Sequence, residues 1–77
     1  MTKSKPYMEK LANVCKEKNY NKEFFSIITI ICCSEQMFEA GYTSEQALQK
    51  AIELVQTKEK QQVYEELLAL TGYKLEN

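Results

Sequence analysis

One run constrains this chain more than any other. From Phe24 to Cys33 it reads Phe-Phe-Ser-Ile-Ile-Thr-Ile-Ile-Cys-Cys, with eight of the ten residues apolar. Four fates are open to such a run: a membrane segment, a strand, a core helix, or a face that another protein covers. A run of ten is about half of the roughly 20 residues a spanning helix needs. Ile-Ile-Thr-Ile-Ile is rich in the β-branched residues that suit strands. However, no second strand-like run exists to pair with it, and a lone strand leaves its backbone groups unsatisfied. A helix remains, apolar nearly all round and therefore buried.

The rest of the composition agrees. The chain has 77 residues, enough for one domain, with two Gly and one Pro and so little turn chemistry for a many-stranded sheet. Arg, Asp, His and Trp are absent, so every cation is Lys and every anion is Glu. Both favour helix. The expectation is an all-α fold, a single compact domain over 1–77 with tails at 1–5 and 74–77. Its three or four helices fall at about 6–18, 22–40, 44–56 and 58–71, with the second central.

Local signals set those bounds. Ser4 is a candidate N-cap ahead of Pro6, and Tyr7, Met8, Leu11, Val14 and Cys15 follow at helical spacing. Asn21 caps the second helix, whose main face is Phe24, Ile27, Ile28, Ile31 and Phe38. Phe25 and Cys32 flank that face on one side, Ile30, Cys33 and Met37 on the other. Gly41 ends that helix. Thr43 and Gln46 fit a capping box for the third, which carries the stripe Ala47, Leu48, Ala51, Ile52 and Val55. The polar stretch 56–62 predicts a break near Thr57, with Thr57 as the next N-cap. Val63, Tyr64, Leu67, Leu68 and Leu70 resume the pattern, Gly72 closes it, and Tyr73 folds back.

Enzyme chemistry is hard to assemble from these residue types. Without His, a nucleophilic Ser or Cys lacks its ordinary base. Without Arg there is no bidentate clamp for phosphate or carboxylate. The expectation is no catalytic, cofactor or metal site. Cys32 and Cys33, adjacent on a helix, point about 100° apart and read as core-filling thiols with Cys15. An odd count of three cysteines without framework spacing suits a reducing, cytoplasmic setting. The Lys-rich start ahead of the apolar run has the outline of a leader. Glu9, Glu17 and Glu23 and the lack of a small-residue cleavage site argue against one.

Charge is unevenly spread. Residues 1–22 carry six Lys and two Glu, whereas residues 23–57 carry one Lys and five Glu. The expected function is a non-enzymatic protein-binding module, such as a small regulator, inhibitor or adaptor, that presents a helical face to a larger partner. Glu35, Glu39, Tyr42, Glu45, Gln49 and Glu53 are the candidate partner-binding residues. Apolar surface left uncovered on the second helix is the other candidate, with homodimerisation through the first two helices as one outcome. The Lys-, Glu-, Asn- and Ile-heavy composition suits an AT-rich genome, bacterial or phage.

The layout around Gly41-Tyr42-Thr43 also matches a helix-turn-helix, which makes a nucleic-acid-binding regulator the alternative. Its second helix would turn Glu45, Gln46, Gln49, Lys50 and Glu53 outward, two Glu against one Lys, which opposes phosphate. The stretch from Met37 to Ile52, continuing to Leu70, resembles in shape the ubiquitin-associated domains. Those have a helix, a Met-Gly-Phe/Tyr turn, an Ala- and Leu-rich second helix and a third. Ala40 stands where that family has Met, and the helix before the turn is far more apolar here. The likeness implies three helices packed around a Gly-aromatic turn.

Overall fold

The computed structural model describes residues 5–72. The expected Ser4 cap, the Tyr73 fold-back and the tails lie outside them, apart from Lys5, which begins the first helix. Helices are the regular elements of the described residues: α1 is Lys5–Glu17, α2 Lys22–Cys32, α3 Glu35–Glu39, α4 Ser44–Thr57 and α5 Lys60–Leu70. The all-α expectation is met, with four main helices and α3 as a short additional turn.

The connections follow from local chemistry. α1 ends where Asn19 takes φ +62°, donating its N–H to Lys16 O while Tyr20 N–H reaches Cys15 O. This is a Schellman closure with Asn as the left-handed residue. Asn21 then caps α2, its Oδ1 accepting from Phe24 N–H at 2.9 Å. Thr43 and Gln46 form the full capping box of α4, at 3.1 and 3.0 Å.

The long second helix expected over 22–40 is two pieces. Ser34 is extended (φ −76°, ψ 157°). Its Oγ donates to Ile31 O at 2.8 Å and accepts Met37 N–H at 3.2 Å. One hydroxyl thus closes α2 and opens α3. The restart resets the helical phase. In an unbroken helix Phe38 would lie in register with Phe24 and Ile28; instead Met37 turns inward and is fully buried, and Phe38 is 73% exposed.

The break near Thr57 is present, but its cap differs. Thr57 is the last residue of α4, and its Oγ1 donates back to Glu53 O at 2.8 Å. Lys58 is extended, and α5 starts after Glu59.

α4 packs against each of the other four helices, and α2 packs against α1, α4 and α5. The core of α4 is Ala47, Leu48, Ala51, Ile52, Leu54 and Val55, all buried. Ala47 and Ala51 are small enough to let neighbouring helices approach closely. Leu11, Val14 and Cys15 of α1, Phe24, Ile28 and Cys32 of α2, Met37 of α3, and Val63 and Leu67 of α5 complete one cluster.

Gly41 closes α3 at φ +99°. Its N–H goes to Phe38 O and Tyr42 N–H goes to Met37 O, 3.0 and 3.1 Å away. A Cβ at Gly41 would meet no atom within 4 Å, so any penalty there is purely conformational. Gly41→Ala is expected to cost about 1–2 kcal/mol, read as a lower urea midpoint at unchanged slope. An unchanged midpoint would show that the turn does not need the left-handed conformation.

Candidate functional site

The cysteines separate into two environments. Cys15 and Cys32 are buried and Cys33 is exposed, and none is in a disulfide. Cys32 Sγ donates to Ala47 O at 3.4 Å. Burial, with adjacent Cys33 adding to it, pushes the Cys32 thiol up to about 12 from the ordinary 9.0. Burial raises Cys15 as well. Such thiols are poor nucleophiles and behave as small hydrophobes. Core filling thus holds for Cys15 and Cys32 but not for Cys33, which leaves the core where α2 ends. Among the described residues no three Cys or Glu side chains are placed to hold a metal ion. Nor is any helix there long and apolar enough to cross a membrane.

The acidic candidates fall on two elements. Glu35 and Glu39 are exposed on α3, one turn apart and on the side away from buried Met37. Gln49 and Glu53 are exposed and Glu45 half-buried along the outward stripe of α4. Glu53 pairs with Lys50 at 3.7 Å, an exposed i,i+3 contact that contributes little to stability. Tyr42 is half-buried against the core, so packing as well as any partner explains its position.

The exposed apolar side chains form the second candidate. Ile30 is 68%, Ile27 38% and Phe38 73% exposed. The expected main face of the second helix therefore holds for Phe24 and Ile28 only, with Ile31 half-buried. Ile30 borders a shallow groove of about 200 Å³ whose other walls include Ile31, Leu68 and Thr71. Exposed Phe38 was the residue sequence reasoning missed. Its signal was Ser34 followed by Glu35, an N-cap with an acidic first turn, masked by the apolar run before it.

A larger groove, about 390 Å³, lies between α1 and the start of α2. Ala12 and Lys16 form one wall, Lys22, Phe25 and Ser26 the other, and Tyr20 lies in the connection between them. Its lining is mostly apolar, and each helix contributes one Lys to it.

No protein-family model matches this chain, and no similar curated protein or solved structure was found.

Proposed function

We propose that the chain is a non-enzymatic protein-binding module that docks a larger protein through its α2–α3 surface. The observation that carries this reading is the pair of large apolar side chains, Ile30 and Phe38, 68% and 73% exposed on a small domain whose other large apolar residues are mostly covered. Apolar anchors inside a polar rim are what protein interfaces use. Here the rim is acidic, with Glu35 and Glu39 alongside Phe38, so the partner is expected to bring Lys or Arg around an apolar patch. The three free cysteines suit a reducing compartment such as the cytoplasm. A nucleic-acid reader on the same turn is disfavoured, because the outward stripe of α4 carries Glu45, Gln49 and Glu53 against the single cation Lys50.

The test is capture from the native cell by tagged wild type beside an Ile30→Glu/Phe38→Glu variant, followed by titration of the captured protein in purified form. Both positions are exposed, so the variant keeps its fold. Affinity should fall about 30-fold or more, as for loss of interface anchors. Equal binding by the variant would reject this surface.

A further inference from the structure

The Phe38 knob and the α1–α2 groove are complementary to each other, and we infer that a second copy of this chain is the occupant: Phe38 of one copy enters the groove of the next, with Glu35 and Glu39 meeting Lys16 and Lys22 at its rim. This rests on the reading of the α2–α3 surface as a docking surface and names one partner for it.

Four observations support the pairing. Phe38 is 73% exposed, so its own core leaves it uncovered. The groove is open on one side, mostly apolar and about 390 Å³ in volume, which offers room for one ring. No residue of α3 lines that groove, so the chain does not fill it with its own Phe38. Among the described residues, Lys16, Lys22, Glu35 and Glu39 make no ion pair, so both rims offer unpaired charge of opposite sign. The uneven charge is then arranged for contact between copies, with cations on the groove side and carboxylates on the knob side. The near-neutral total of −1 leaves little net repulsion between copies.

The knob and the groove are different surfaces of one chain, so copies associate either head to tail or as a reciprocal two-fold pair in which each knob enters the other's groove. One ring and two ion pairs make a small interface, which implies weak, salt-sensitive association.

Sedimentation equilibrium up to about 1 mM, the scale of weak contacts, tests this. The wild-type average mass should rise above the monomer with concentration and fall back as salt is added. Phe38→Ala, which lacks the knob, and Ser26→Trp, which fills the groove from an exposed position, should each stay monomeric. Mixed one to one, they should form a heterodimer and nothing larger, because one retains the groove and the other the knob. A contact that joined like surfaces, α3 to α3 or groove to groove, would give no such complementation. If Ser26→Trp loses its helical circular dichroism, Lys22→Glu replaces it, and adding Glu35→Lys in the same chain should restore assembly. Three outcomes overturn the inference: a monomeric wild type throughout, assembly by Phe38→Ala alone, or no complementation in the mixture. A monomeric wild type leaves the broader protein-binding reading standing, since that is decided by a different captured protein.

Discussion

Phe24→Ala is expected to remove about 3–5 kcal/mol of folding free energy, the usual cost of truncating a buried Phe. At roughly 0.05–0.15 kcal/mol per residue, a chain of this length has only about 4–12 kcal/mol in total, so the variant should be largely unfolded at moderate urea. The position is sensitive because the ring, 1% exposed, is shared by several elements. Its edge contacts reach Tyr20 at 4.5 Å and Tyr64 of α5 at 5.2 Å, and Lys60 Nζ lies 5.4 Å from its centroid. Deleting it unties α2 from α5 and from the α1–α2 connection together. Phe24→Leu keeps most of the apolar volume and should recover much of the loss, the remainder reporting the ring contacts at ~0.5–1.5 kcal/mol each. Urea unfolding followed by far-UV circular dichroism measures both. A loss below about 1 kcal/mol in Phe24→Ala would mean that the site collapses around the deletion.

Alkaline instability should be the second large effect. Burial holds the Cys32 thiol protonated up to about 12 in the folded chain, against 9.0 ordinarily. Between those values the folded state keeps a proton that the unfolded state has released. Stability is therefore unaffected by this group below the lower value and falls as pH rises through the window. The slope is about 1.4 kcal/mol per pH unit for one group. Cys15, also raised by burial, adds in the same direction. The thiolate would also lose its hydrogen bond to Ala47 O. Comparing urea midpoints at about pH 8 and about pH 10.5 should show a steeper decline in wild type than in Cys32→Ala, by roughly the single-group slope. Lysine deprotonation affects both proteins alike and cancels in the comparison. Equal declines would show that the folded thiol ionises as freely as the unfolded one.

The parts of this fold legible in the sequence are those written in a few neighbouring residues. Asn21, the Thr43–Gln46 box and Gly41 each satisfy or permit a specific backbone geometry within one turn, and each does so in the structure. The stripe of α4 was legible too, because its apolar spacing matches only one period. The Ser34 break was not. The apolar positions run on in helical phase across it, and the hydroxyl that ends one helix and starts the next is a single polar atom among them. Thr57 misled for a related reason. The side chain that caps a helix start also bonds back to a carbonyl one turn earlier, and here it completes α4. For the surface, polarity marked Glu35, Glu39, Gln49 and Glu53 as outward. It did not expose Ile30 and Phe38, because apolar exposure depends on which helices are available to cover a residue. That is a property of the whole packing rather than of the run.

The single turn of α3 has a consequence for how its surface is inherited. Five residues are too few to hold a helix in water unaided. The segment is pinned by Met37 in the core, by Ser34 at its head and by the Gly41 turn at its foot. The orientation of Phe38 is therefore a property of the folded whole, not of its own sequence. A peptide cut from this region would carry the same letters without the shape. Any partner that reads the surface consequently senses whether the entire domain is intact, which makes recognition here a report on folding as well as on identity.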